Sequence, residues 1–268
     1  ADIVLDTAVL KGGFGGTSLP HARLWFDMES NKLIRKECYI YQTQTTGEVK
    51  QNYKDFADKI IAPHKTMFEK ILGVAEEKWD LHLSEETKLG NFLADCMLEI
   101  AGTQLSYMNA TSAGGSIDPG PVTAEDLMSV SGFNDPIYTS EISGQQLWDL
   151  MELVFVPERY GNNAGLLFSG FIVYVDHTRS AFYKIQSITL RDGTPIDLKS
   201  KYTVASSEYM ASGGNDTSLI AKQLTWKKTD ILFWDAMFDY VQKYGKLQIS
   251  PEKRMHEIGR PENNNAPF

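Results

Sequence analysis

Residues 206–217 read Ser-Ser-Glu-Tyr-Met-Ala-Ser-Gly-Gly-Asn-Asp-Thr, a set able to hold a small hydroxylated ligand. Gly213 and Gly214 permit positive φ and let a ligand approach the backbone closely. Asn215 and Asp216 offer hydrogen-bonding groups, and Tyr209 offers a flat face for stacking. The same composition also describes a plain turn after a strand. Two other stretches carry comparable groups. Residues 109–120 form a long polar loop that opens on Asn109 and contains Gly114, and such loops in compact patterns often carry function. Residues 131–136 hold Phe133 and Asn134 among small and polar neighbours, which sets that ring apart from any apolar stripe.

Groups for bond-breaking chemistry are not concentrated anywhere. The histidines His21, His64, His82, His177 and His256 are scattered, with no His-x-His grouping, so no metal ligands are assigned. Ser112 and Ser212 have no histidine at a suggestive spacing, so no catalytic nucleophile is assigned either. Glycines 12, 13, 15 and 16 lack the spacing and the lysine of a phosphate-binding loop, and read as a turn. No cofactor is assigned to this chain.

The totals describe an ordinary globular protein: 268 residues, 42% hydrophobic and 23% charged. A net charge of −9 argues against a nucleic-acid polymer as partner, though not against a small anion in a local pocket. No apolar run is long enough to span a membrane, and no charged-apolar-small leader opens the sequence. Cys96 falls on the apolar face of a helix and reads as a buried thiol.

Along the chain, a strand is expected over residues 1–11 and a hairpin over 21–42. An amphipathic helix over 51–72 is kinked or divided at Pro63. A strand over 75–83 precedes the clearest helix, where Leu89, Phe92, Leu93, Cys96, Met97 and Ile100 make one buried stripe. Ser84 or Thr87 caps it, Glu85 and Glu86 sit near its positive end, and Gly102 stops it. Strands follow at 104–108, 137–142, 166–175, 182–190 and 201–205. Helices begin at Thr123 and Ser143, and a last helix spans 229–244. The tail from Ser250 is polar and frayed.

Taken together, Leu89-Gly90-Asn91-Phe92-Leu93-Ala94-Asp95, Met108-Asn109 with its loop, Gly132-Phe133-Asn134 and Tyr209-Met210-Ala211-Ser212-Gly213-Gly214-Asn215 resemble the C-terminal, nucleotide-binding domain of the 5′-nucleotidase family. The likeness runs from about Glu85 to Ala221. It implies an α+β fold, helices packed outside a central β core, and four segments. Residues 1–50 resemble the end of a metallophosphoesterase domain, 51–74 a linker helix, 75–250 the C-terminal domain, and 251–268 a polar tail. It also implies a nucleoside or nucleotide ligand clamped by two aromatic rings, whose positions fall on Phe133 and Tyr209. Asn109 matches the family's loop-end asparagine, and the ribose-binding acidic position falls on Asn215, with Asp216 beside it. Divalent metals are implied only on the metallophosphoesterase domain, and the location implied is periplasmic or extracellular.

The sequence departs from that family at the phosphate. The family's loop reads asparagine, three glycines, an aliphatic and an arginine; here the glycines fall on Ala110, Thr111 and Ser112, and the arginine on Gly114. A second family arginine falls within residues 84–86, where the charge is reversed. Three readings follow. One is the substrate-binding domain of a 5′-nucleotidase-type phosphoric ester hydrolase. Another is a degenerate binding or scaffold domain whose ligand is not a nucleotide. In the last, the aromatics are core residues and the loops plain connections.

Overall fold

The computed structural model describes residues 2–4, 7–10, 12, 16–43, 47–82, 85–156 and 165–259. It divides the chain into two units, residues 1–63 and 64–268. In the first, β1 (Asp2–Val4) and β2 (Thr7–Val9) pair antiparallel, so the expected opening strand is in fact two. The glycine-rich turn at 12–16 falls partly outside the described residues. β3 (Ser18–Asp27) and β4 (Lys32–Gln42) form the hairpin, with Ser18 opposite Gln42 and Asp27 opposite Lys32. Its turn is held by the Asp27 carboxylate, which accepts from the Ser30 and Glu29 amides; these bonds, led by that of Ser30, hold Asp27 below the usual carboxylate range. α1 (Gln51–Ile61) follows. The helix expected over 51–72 therefore stops at Ile61: Pro63 cannot donate to a helical ladder, and Ile71 and Leu72 belong to a strand.

In the second unit, α2 (Lys65–Phe68) leads to β5 (Ile71–Ala75) and β6 (Trp79–Asp80), which replace the single strand expected over 75–83. α3 (Lys88–Ala101) is the expected helix. Thr87 Oγ1 accepts from the Gly90 amide at 3.1 Å, and Gly102 closes the helix at φ 65°. Ser84, the alternative cap, lies outside the described residues. β7 (Leu105–Asn109), β8 (Ser116–Ile117) and β9 (Gly120–Thr123) come next, then α4 (Ala124–Ser129), β10 (Pro136–Ser143) and α5 (Gly144–Val154). Thr123 and Ser143 each cap their helix in a reciprocal box, with Asp126 and Gln146 as partners. The rest of the unit is β11 (Leu166–Ser169), β12 (Phe171–Asp176), β13 (Ile185–Leu190), β14 (Lys201–Ser207), α6 (Glu208–Ala211), α7 (Ser218–Ala221), β15 (Lys227–Leu232), α8 (Phe233–Tyr244) and β16 (Met255–Ile258).

The central sheet has the order β11-β7-β14-β10-β15. β7 and β14 run parallel; the other neighbours are antiparallel. Alternation along the strands sorts side chains to two cores. Met108, Ala205 and Ile137 join Leu93, Met97, Phe233 and Met237 beneath α3 and α8. Leu105, Tyr107, Val204 and Ile142 join Leu147, Leu150 and Met151 of α5 on the other face. Helices thus cover both faces of a mixed sheet, the α+β arrangement implied by the resemblance.

Three expectations are corrected. The strand over 166–175 is broken at Gly170 (φ 93°), where an added Cβ would stand 2.1 Å from the Gln104 carbonyl oxygen, so β11 and β12 enter different sheets. The helix over 229–244 begins only at Phe233, because Lys227–Leu232 pairs with β10 as an edge strand. The frayed tail is ordered through Ile258: β16 pairs parallel with β12. Arg254, 1% exposed, makes two 2.7 Å bonds to Asp95 and donates to the Phe168 and Asn91 carbonyls. Glu86, next to the Thr87 cap at the start of α3 as expected, accepts from Asn91 Nδ2 of the first turn and also from the Arg254 and Met255 amides.

Candidate functional site

Because β7 and β14 are parallel, Asn109 and Ser207 end their strands at the same edge of the sheet. β10 runs opposite, so its first residues, Pro136 and Ile137, start at that edge. The turn at 131–135, the start of α6 and the start of α8 converge there as well. They enclose a cleft of about 310 Å³, at the small end of the ligand-pocket range. Its interior is apolar, with Met97, Met108, Ile137 and Phe233 projecting from the core; its mouth is formed by Phe133 and Tyr209. These two rings, 57% and 48% exposed, are far too open to be core residues. That disposes of the reading in which they are packing.

Each ring is positioned by its own loop. Ser207 Oγ accepts from the Met210 amide and starts the α6 turn that carries Tyr209. Tyr209 Oη donates to Asn215 Oδ1 at 3.3 Å and accepts from the Asn215 amide at 3.2 Å. Gly214 lies directly under the ring, where an added Cβ would meet Tyr209 Cε1 at 2.3 Å. Opposite, Ser131 Oγ donates to the Phe133 carbonyl, and the Gly132 amide donates to the Ser112 carbonyl. This ties the two loops together.

Asn109 is 6% exposed and lines the cleft. Its Nδ2 donates to Thr111 Oγ1 at 3.0 Å, while its Oδ1 is buried without a partner. A buried unpaired acceptor costs on the order of 1–3 kcal/mol, and a ligand donor would recover it. Tyr138, next to Ile137 on β10 but outside the lining, donates from Oη to Glu208 at 3.3 Å; desolvation first, then the Glu208 and Asp135 carboxylates, push its pKa up.

Of the residues singled out in the sequence, Asn109, Phe133 and Tyr209 come together in the lining. The others stand behind it or away from it. Asn134 Oδ1 accepts from the Trp234 amide at 2.9 Å and so fixes the start of α8. Gly213 (φ 95°), Asn215 (φ 52°) and Asp216 (φ 57°) shape the turn after α6. Gly114 donates its amide to the Val130 carbonyl and has open space where a side chain would be. Sequence reasoning missed Met97, Met108 and Ile137, which carry only a core signal, and Asp135, the neighbour of the two residues that were named.

A wider groove of about 790 Å³ lies between α5 and the 179–186 turn, lined in part by Trp148, Phe182 and Tyr183. Its amides are already engaged, Gln145 with Asp149 and Gln186 with Asp176. The cleft, with its orphaned acceptor, is the better candidate. Among the described residues, no three His, Cys, Asp or Glu side chains gather as a metal site. His21 stacks near Tyr39 and Tyr41, His177 bonds Glu257, and His256 stacks on Tyr174, so this donor set does not fit a metal pair.

These features define a class: an α+β domain that presents a small aromatic-mouthed cleft at one end of its main sheet. The family described as 5′-nucleotidase, C-terminal domain, matches residues 72–222, and the chain belongs to it. In 5′-nucleotidase-type hydrolases this is the nucleotide-binding domain. The trifunctional nucleotide phosphoesterase protein YfkN of Bacillus subtilis is 23% identical over 188 residues, covering 66% of this chain and 13% of that protein. A 5′-nucleotidase of Vibrio parahaemolyticus is 23% identical over 192 residues, covering 72% of this chain and 33% of that one. The crystal structure of a 5′-nucleotidase precursor from Thermus thermophilus matches with a TM-score of 0.70 at 20% identity, over 92% of this chain and 51% of that one. The chain therefore spans a third or less of these curated relatives and about half of the solved one, and the structural likeness is one of fold.

Proposed function

We propose that the cleft binds a nucleoside moiety, its base stacked between Phe133 and Tyr209 and a ligand N–H or O–H donating to Asn109 Oδ1. The observation that carries this reading is the pair of half-exposed rings, from segments far apart in sequence, at the mouth of one apolar cleft with an unpaired buried acceptor inside. Stacking contributes roughly 1–3 kcal/mol per base in single-strand binders, enough to hold a small ligand. Asn215 and Asp216 act from behind Tyr209, and Gly213 and Gly214 give the turn its shape; Asn134 sets the Phe133 loop against α8.

In this reading the domain supplies substrate recognition in a 5′-nucleotidase-type phosphoric ester hydrolase that serves nucleotide catabolism. A metallophosphoesterase domain supplies the divalent metals and the hydrolytic step. The setting is the periplasm or the extracellular space; no helix among the described residues is long and apolar enough to cross a membrane. A second reading, a scaffold domain whose ligand is not a nucleotide, draws on the uncharged residues at Gly114 and Asn215.

Titration calorimetry with adenosine separates the two. The first reading expects saturable binding that weakens at least about fivefold in Tyr209→Ala and in Phe133→Ala. Absence of heat with adenosine, AMP and a pyrimidine nucleoside, in a chain that melts cooperatively, would favour the scaffold.

A further inference from the structure

We infer that the cleft selects an uncharged nucleoside over its phosphate ester. This rests on the reading of the cleft as a base-stacking site and adds the chemical class of its ligand.

Among the described residues, the lining holds one acidic side chain, Asp135, and no lysine, arginine or histidine. Glu208, beside Tyr209 in sequence, is turned to Tyr138 and stands outside the lining, so the carboxylate that faces the cleft is that of Asp135. A phosphate is held best by charge-assisted donors, and several of the neutral donors beside the cleft are already engaged. At the start of α8, the Phe233 amide donates to the Asp135 carbonyl and the Trp234 amide to Asn134 Oδ1. At the start of α6, the Met210 amide donates to Ser207. In the loop after β7, Ser112 Oγ donates to the Asn109 carbonyl and Asn109 Nδ2 to Thr111. An entering phosphate would therefore shed water without meeting a cation among the described residues, and would face the Asp135 carboxylate.

The preference can be reversed by one residue. Nothing lies within 4 Å of a Cβ added at Gly114, whose backbone is outside the left-handed region. Ala113 beside it bridges to Ser131, a residue of the lining, so a long cation at 114 is placed on the loop next to the cleft.

The test is calorimetry of the full chain with adenosine and AMP at low and high ionic strength, on the unaltered protein, Asp135→Asn and Gly114→Arg. The Asp135 carboxylate facing a dianion through water, partly screened, gives roughly a two- to fivefold preference for adenosine at low salt. The gap should narrow at high salt and in Asp135→Asn, and Gly114→Arg should tighten AMP relative to adenosine. AMP binding as tightly as adenosine to the unaltered chain at low salt overturns the inference while leaving the stacking site intact. An AMP-to-adenosine ratio unmoved by salt and by Asp135→Asn overturns it as well. Failure of both ligands to bind removes the stacking site and this inference with it.

Discussion

Replacing Gly214 with alanine displaces an aromatic ring without deleting it. The new Cβ would come 2.3 Å from Tyr209 Cε1 and 2.5 Å from Cδ1 and Cζ, distances no carbon pair sustains. The backbone at 214 is outside the left-handed region, so alanine itself adds no conformational strain. The atoms met are the flat of a ring 48% exposed, and the cheap response is for the ring to swing outward. That motion breaks the pair of bonds between Tyr209 Oη and Asn215, each longer than 3.1 Å and open to water. The folding cost should therefore stay below about 1 kcal/mol, within the range of surface changes. The binding cost is that of a stacking face, about 1–3 kcal/mol, or roughly five- to 150-fold in Kd. The assay pairs adenosine calorimetry with a thermal melt of the same sample. Unchanged affinity in Gly214→Ala would refute the assignment of Tyr209 as a wall of the site. A large drop in Tm would refute the claim that the ring moves freely.

Other consequences are open to test. Arg254→Met leaves Asp95 charged, buried and short of its main partner, and should cost about 3–5 kcal/mol in denaturant unfolding; a loss under about 1 kcal/mol would show that Arg191 and Ser169 satisfy Asp95 alone. Gly170→Ala forces φ 93° on a side chain aimed at the Gln104 carbonyl and should cost at least about 2 kcal/mol; near-wild-type stability would deny the close approach of those segments. Cys96 is fully buried, and burial pushes its thiol well above the usual range, so an aromatic disulfide reagent should titrate Cys38 in the native chain and Cys96 only after unfolding.

Much of the central architecture was legible because it is locally encoded. The stripe from Leu89 to Met97 has helical period, and Thr87, Thr123 and Ser143 stand where cap residues stand. Phe133 and Tyr209 stood out as rings among glycines and polar groups, where apolar packing gives no reason for a ring. Pairing between distant segments was not legible. Ile231 and Leu232 adjoin the apolar stripe of the helix that follows, and hydrogen bonding of Lys227–Leu232 to β10 makes that segment a strand. Gly170 reads as one small residue in an apolar run until the Gln104 carbonyl is seen against it. The cleft floor could not be read at all, since Met97 and Ile137 look like any other core residue until the cleft reaches them.

Drawing the domain's end where the family match stops, at residue 222, would cut through a folded body. Beyond that point lie the edge strand and helix that wall the cleft, and the return segment whose guanidinium neutralises a carboxylate inside the first long helix. A recombinant version ending there would expose that acid to an empty interior and lose Phe233 from the pocket. For structural work or ligand screening, the smallest self-sufficient piece must run at least to Ile258.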